Sequence, residues 1–596
     1  MNAPVEPSVQ VYGSDLVGCR YRLVQKFRQA QGDLLDDDLA NDDISPHVRH
    51  EALAIHDLTR EDVRFRCEKL GTSYCDIAQV RDETGEDAGD GGDAGDGDGA
   101  DGDLEAQYLA TLDALAAGVS VIFSPVLLRE MEHEAALEVA KVDFLVKLET
   151  IAATPKYLPV MISGSSVLKA RRPIANTAGQ NLGAVAEPVF QLAIDRALGK
   201  PLLGRTPRGG VDIRASILEL PDKKLRATSR IMVHLGQMAS ALADYDVACD
   251  FVAILEEGRS HLVVSKARRA EESYLAASEL DNLPDYPRQV RQCKSCRFEK
   301  ICHEELLAID DISLVLPGDR AASWRKRGID TVALLAQQDS AKDSAWLARA
   351  WQHDLPAVRR TEHLMVPRAD VEIDVDMEAY PVGGAYLWGT WVAGGAYQPF
   401  VTWDPPSASG LGGDAEAANF ARFWDWLHTQ RQETEEAGKT FRAYCWAAEG
   451  ENHWMRRTAS RFGGVLFDGY AVPSLVEVER FIRSEVWTDL FAVVRKQLLS
   501  PSGLSLKTVA PWAGFRWRDE GVDGAASLPL YELAAGMVRH NDAASTTDEP
   551  EPAAAREQLL RYNGDDCRSM LVIRDWLDNP QTLEQIPYGA NVSANG

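Results

Sequence analysis

V-E-I-D-V-D-M-E, residues 371–378, is the stretch on which the C-terminal half of this chain turns. It predicts a β-strand, and residues two apart on a strand project from the same face. Asp376 and Glu378 therefore stand side by side. Two carboxylates on one face are costly if buried without partners. They make sense as ligands of a hard divalent cation. Taken alone, the pair is equally compatible with an exposed strand edge.

Two further strands follow, A-Y-L-W-G-T-W-V and Y-Q-P-F-V-T-W. A helix is expected over 415–435, then the strand F-R-A-Y-C-W-A-A, then helices to Trp576, with a loose tail after Pro580. Three strands followed by alternating helix and strand predict a mixed α/β sheet. More motifs come in order: Y-L-W-G at 386–389, Glu451 after a strand, T-D-L at 488–490, L-S-L-K-T-V-A at 504–510 and Y-N-G-D-D-C at 562–567. In the last, Tyr562 and Asp566 are four apart and share one face of a helix.

This order resembles the DEDD exonuclease branch of the ribonuclease H fold, and more narrowly the YprB-type domain, over roughly residues 370–578. The resemblance implies a two-metal phosphodiesterase using Mg²⁺ or Mn²⁺. It makes Asp376, Glu378 and Asp566 metal ligands and gives Tyr562 the orientation of the attacking water. The family's second motif normally supplies an aspartate. Here A-E-G-E-N stands in its place, with Glu451 the best fit and Asp489 a second candidate, a departure that bears on catalytic efficiency.

The other informative residues are cysteines. Q-C-K-S-C-R-F-E-K-I-C-H, 292–303, sets Cys293, Cys296 and Cys302 in a C-x2-C-x5-C run. A metal or iron–sulfur site takes about four thiolates. Cys19, in S-D-L-V-G-C-R-Y-R-L, is the candidate fourth and would staple the two ends of one domain. The arrangement resembles the iron–sulfur subclass of RecB-like nucleases, of the AddB type and the CRISPR-associated exonucleases. That resemblance implies a 4Fe-4S cluster. Zinc completed by His303, or three unrelated thiols, are the alternatives.

A RecB-like core needs an aspartate on one strand, E-x-K or D-x-K on the next, and a Q-x3-Y helix. Asp143 in V-D-F-L-V-K fits the first, and Gln191 in F-Q-L-A-I-D opens the helix motif, but Asp195 stands where tyrosine is usual. The second strand, Y-L-P-V-M-I-S-G-S-S, offers neither acid nor lysine. The core therefore reads as a degenerate RecB-like fold, inactive or reliant on some other residue. Asp250 with Lys266 is a rival pair, although Val264 occupies the second acid's place. His50, Glu51 and His56 share one expected helix, a spacing that is more often structural than catalytic.

Further expectations for this half are a helix over 108–117, one buried strand through V-S-V-I-F-S-P-V-L-L, helices over 188–198 and 229–243, and a hairpin turning at Glu256-Glu257-Gly258. Residues 306–340 resemble a helix-hairpin-helix, with Pro317-Gly318 as the turn and Arg325, Lys326 and Arg327 near any bound phosphate. A plain helical spacer is the alternative.

The chain has 596 residues and a net charge of −28, at first an argument against nucleic acid. The charge is concentrated, however. Residues 82–103 hold 10 acids and no base, and Asp542, Asp548, Glu549 and Glu551 bring the total to half the net charge. Both stretches read as disordered, because like charges repel and nothing apolar drives burial. The remainder leaves room for a local basic groove. No secretory signal or run of about 18 apolar residues is seen, so no membrane span is expected. Nine cysteines fit a reducing cytoplasm. Ala437-Gly438-Lys439-Thr440 is not a P-loop, since Glu433 replaces the first glycine.

The expected architecture is an α/β chain. A degenerate RecB-like domain (1–305, with a disordered acidic insertion at 82–104) is followed by a helical joint (306–365). A ribonuclease H-like domain (366–580) and a loose tail (581–596) complete it. By resemblance the whole is a hydrolase, a 3′–5′ exonuclease on single-stranded DNA or RNA, working with a separate helicase. The interleaved Trp388, Trp391, Trp446, Trp454 and Trp517 are candidates to stack bases. A chain in which both halves have lost catalysis and only bind nucleic acid or assemble a complex is the alternative.

Overall fold

A computed structural model describes residues 9–34, 59–61, 63–80, 100–131, 136–148, 156–163, 217–219, 229–256, 261–279, 283–338, 340, 342–380, 384–405, 412–519, 527–537 and 552–594. The chain divides between Leu306 and Leu307 into two compact units.

In the second unit the acidic stretch is indeed a strand, β1 (Val371–Tyr380). It lies at the centre of a five-stranded sheet with β2 (Gly384–Val392), β3 (Tyr397–Val401), β4 (Phe441–Cys445) and β5 (Trp487–Asp489), in the order β3-β2-β1-β4-β5. β2 is antiparallel to both of its neighbours, and β4 and β5 run parallel to β1. The mixed sheet expected from the strand–helix alternation is the one observed.

Strict alternation gives β1 two unlike faces. Ile373 and Val375 point into an apolar layer under helix α1 (Asp414–Glu436), where Trp388 stacks on Phe423 at 4.8 Å. Glu372, Asp374, Asp376 and Glu378 occupy the other face. Across that face runs the 27-residue helix α5 (Pro552–Asp578), opened by a proline whose missing N–H costs nothing at a first-turn position. Helices α2 (Glu449–Phe462), α3 (Leu506–Trp512) and α4 (Ser527–Ala534) also bear on the site.

The joint, from Leu307 onward, lies in this same unit. Gly328, at φ 74°, ends the short helix Ala322–Arg325 as expected. The expectation of a loose tail is wrong. A short helix forms at Thr582–Gln585, and Ile586 and Val592 are buried. Buried Arg359 and Arg349 need acceptors, and the tail supplies them: Arg359 donates to Ile586 O (2.7 Å) and Arg349 to Val592 O (3.3 Å). The ring of Tyr588 lies 5.7 Å from that of Trp346.

The first unit has a seven-stranded sheet. Its order is Tyr74–Asp76, Val121–Phe123, Phe144–Leu148, Lys156–Ser163, Phe251–Glu256, His261–Lys266, Ile217–Glu219. The expected hairpin is present, with His261 opposite Glu256. Two expectations need correction. The stretch 119–128 is not one strand: Ser124, at φ 48°, breaks it, and Val126–Glu130 joins a separate three-stranded sheet. The acidic insertion ends earlier than 104, because a helix runs from Ala100 to Ala116. Its apolar stripe reaches back to buried Leu104, enough to propagate the helix into the acidic residues. Gln191, the helix over 188–198, the trio His50, Glu51 and His56, and the stretches 82–99 and 541–551 lie outside the described residues. Among the described residues no helix is long and apolar enough to cross a membrane.

Candidate active site

Where α5 crosses β1, the four acids of the strand meet two different partners. Toward the start of β1, α5 answers with arginine. Arg574 is fully buried, donates to Asp374 (3.0 Å to Oδ2) and lies 3.5 Å from Glu372. Arg368 adds a second guanidinium, 2.9 Å from Glu372. Burial pushes Glu372 up, but Arg368 and Arg574 together hold its carboxyl below the usual range.

Two turns earlier on α5 the partner is another acid. One oxygen each of Asp376, Glu378 and Asp566 lies within 4.8 Å of the other two. Each ionised pair at that distance costs roughly 3 kcal/mol at an effective dielectric near 20. Burial, then the charges of Asp566, Glu378 and Glu451, push Asp376 well above the carboxylate range. Burial and Asp566 push Glu378 up to about 8, against a hydrogen bond from Ser527. Asp566 rises to about 6, mainly by burial. The protein alone leaves these acids short of positive charge. Octahedral Mg²⁺ at about 2.1 Å spreads its oxygens by roughly 3–4.2 Å, so the donor set fits a hard divalent ion.

The surroundings fix each carboxylate. Asn563 donates to Asp376 Oδ2 (2.8 Å) and accepts from the Tyr397 hydroxyl (2.7 Å). Gly389 faces Asp376 across the sheet, and a Cβ there would land on Asn563 Oδ1. The glycine of Y-L-W-G thus makes room for the side chain that holds Asp376. Trp517 Nε1 donates to Asp566 Oδ1 (2.7 Å), and Ser527 Oγ to Glu378 Oε2 (3.1 Å). Burial and the charge of Asp566 keep the Tyr562 hydroxyl protonated, within hydrogen-bonding reach of Asp566. Lys507 Nζ lies 4.7 Å from the centre of the Tyr562 ring.

Of the sequence candidates, Asp376, Glu378, Tyr562 and Asp566 come together here. Glu451, in the first turn of α2, is buried and pushed up to about 8, by burial first and Asp489 second. Its charge reaches Asp376, but it is not one of the three acids of the compact group. Asp489 is occupied as a cap, accepting from Ala492 N (3.0 Å) and Ala447 N (3.2 Å). Asn563, Ser527 and Lys507 were not singled out from sequence, although Asn563 and Lys507 lie inside the motifs at 562–567 and 504–510, and Trp517 was expected only as a base-stacking ring. Trp388 and Trp454 are buried and cannot stack bases, while Trp517 is bonded to Asp566. In the joint, Arg325 is held by both oxygens of Asp311 (2.8 and 3.0 Å), whereas Lys326 and Arg327 are exposed.

In the first unit Asp143 precedes the strand Phe144–Leu148 and accepts from Ile162 N (2.6 Å). The rival Asp250 is a surface residue paired with Lys156 (2.7 Å). Cys19, Cys293, Cys296 and Cys302 line one pocket, together with Arg22, Arg230 and Arg288. His303 is not part of that lining. Burial pushes the Cys293 thiol up to about 11 and Cys302 to about 12.

Comparison with known proteins bears on one unit. No curated protein and no solved structure matches the chain. A family model described as RNase_H superfamily matches residues 413–578, which include Glu451, Lys507, Tyr562 and Asp566. The match begins after β1, so Asp376 and Glu378 join the site through the sheet. The C-terminal domain is ribonuclease H-like.

Proposed function

We propose that the C-terminal domain is a metal-dependent nuclease, acting as a 3′–5′ exonuclease on single-stranded DNA or RNA. The observation that carries this reading is the gathering of Asp376, Glu378 and Asp566 within 4.8 Å, from a central strand and a crossing helix. Bound Mg²⁺ or Mn²⁺ would activate water and stabilise the leaving oxygen. The chain's own part is positional. Asn563, Ser527 and Trp517 fix the three carboxylates, and Tyr562 offers a hydroxyl donor beside them. A separate helicase would supply single strands, since the chain has no P-loop.

The test is release of nucleotides from end-labelled single-stranded and duplex substrates with Mn²⁺. Metal-dependent cleavage lost in Asp376→Asn is the expected result, and metal-independent or absent cleavage would refute the reading. One observation favours a second reading. With Glu451 outside the compact group, a domain that binds but does not cut would show metal-dependent oligonucleotide binding and no product.

For the first unit we propose a 4Fe-4S cluster on Cys19, Cys293, Cys296 and Cys302, in a RecB-like core without catalysis of its own. Four thiols around one pocket support a shared metal or cluster site. Protein purified without oxygen should then hold iron and sulfide, and zinc in their place would reject it.

A further inference from the structure

We propose that Lys507 is a further substrate-contacting residue of this site, its ammonium donating to a non-bridging oxygen of the scissile phosphate. The proposal rests on the nuclease reading above.

Lys507 is the second residue of α3, whose start is fixed by Ser505: its Oγ accepts from Thr508 N at 3.2 Å. The helix directs the lysine toward two aromatic rings. Its Nζ lies 4.7 Å from the centre of Tyr562 and 5.6 Å from that of Trp517. Both residues also reach Asp566, Trp517 through its indole N–H and Tyr562 through its hydroxyl. Lys507 thus stands on the edge of the site formed by α5, on the side where Tyr562 would orient water. Its charge is felt by both Glu378 and Asp566. The side chain is half-buried.

Divalent ions on the three acids would satisfy their negative charge and weaken their pull on the ammonium. A phosphodiester entering the site is an anion, and it gains negative charge as the attacking oxygen bonds to phosphorus. Lys507 takes no part in the proton transfers. The bond from water oxygen to phosphorus forms and the bond from phosphorus to the leaving oxygen breaks. The water's proton passes to solvent, and the leaving oxygen takes one from solvent. The rival role for Lys507 is that of a counter-ion for the acids, with no part in the reaction.

The two roles separate in full-length wild type, Lys507→Met, Lys507→Arg and Asp376→Asn. One readout is cleavage with Mn²⁺. The other is the affinity of a labelled single-stranded oligonucleotide in Ca²⁺ over a salt series. A lost phosphate contact should lower the slope of log affinity against log salt by about 0.7 in Lys507→Met. It should also lower kcat by about a hundredfold, with Mn²⁺ affinity kept and most activity retained in Lys507→Arg. An unchanged salt slope and kcat, with only Mn²⁺ affinity altered, would overturn the proposal. Should wild type bind but not cut, a reduced slope in Lys507→Met would sustain the phosphate contact while the nuclease reading fails. Should Lys507→Met fail to fold, the slope of Lys507→Gln decides in its place.

Discussion

Asp143 in the first unit and Asp376 in the second invite comparison, because each is an acid set against a buried strand of an α/β sheet. Asp143 is met by a backbone amide, that of Ile162, and the strand beside it brings no second acid. Asp376 is met by two more carboxylates. The same contrast recurs within β1. Glu372 and Asp374 are answered by arginine, while Asp376 and Glu378 are answered by Asp566. A carboxylate answered by an amide or a guanidinium does structural work. A carboxylate crowded against others makes sense only with a cation. The domain with the crowded acids is also the one matching the RNase_H superfamily.

The largest effect should come from breaking that crowding. Asp376→Asn removes a charge and little volume. It should abolish Mn²⁺-dependent cleavage while leaving oligonucleotide binding in place. The metal-free variant should melt higher than metal-free wild type, since a repulsive charge is gone. Added Mn²⁺ should stabilise wild type by RT ln(1 + [L]/Kd) and the variant much less. Thermal melts with and without Mn²⁺ read both. Wild-type cleavage rates in the variant would show that this site is not the catalyst.

How far this contrast was legible in sequence follows from which interactions are local. Alternation in 371–378 gave the strand, and Y-x3-D gave one helix face, because both depend on near neighbours. The order of motifs then joined strand to helix. What sequence did not disclose was pairing across long separations. Nothing near Arg574 marks Asp374, 200 residues away, as its partner. Nothing near Trp517 or Ser527 marks Asp566 or Glu378. The ordered tail was missed for the same reason: its carbonyls cap arginines more than 200 residues distant. Glu451 shows the converse limit, since a correct place in the motif order does not bring a longer side chain into the compact group.

A smaller effect should follow from Tyr562→Phe. It removes a hydroxyl beside Asp566 and leaves the ring that Lys507 faces. Cleavage should slow by about ten- to a hundredfold without being lost, with KM little changed. In the first unit, Asp143→Ala should leave cleavage unchanged, since the strand beside it, Lys156–Ser163, brings no second acid. It should cost about 1–3 kcal/mol of stability, by leaving the amide of buried Ile162 without its acceptor. A large loss of cleavage in folded Asp143→Ala protein would erase the distinction drawn between the units.

The smallest effect is a difference in pH dependence. Burial pushes His234, on the helix Ser229–Asp244, down to about 4 from an ordinary value of 6.5. The folded first unit keeps it neutral, while the unfolded chain takes up a proton below about 6.5. Its contribution is therefore present above 6.5 and lost as pH falls toward 4. Glu451 in the second unit goes the other way. Burial pushes it up to about 8 from 4.5, so the folded state holds a proton that the unfolded chain releases. That contribution is present below 4.5 and lost as pH rises toward 8. Metal-free protein acidified from pH 8 to pH 5 should thus show opposite trends: the second unit becomes harder to unfold and the first easier. Amide exchange resolved along the chain measures each unit separately. Glu451→Gln should weaken the trend of the second unit without abolishing it, because Glu378 and Asp566 titrate in the same direction, and His234→Gln should weaken that of the first alone. Parallel trends in both units would mean that burial of these two groups does not set their titration.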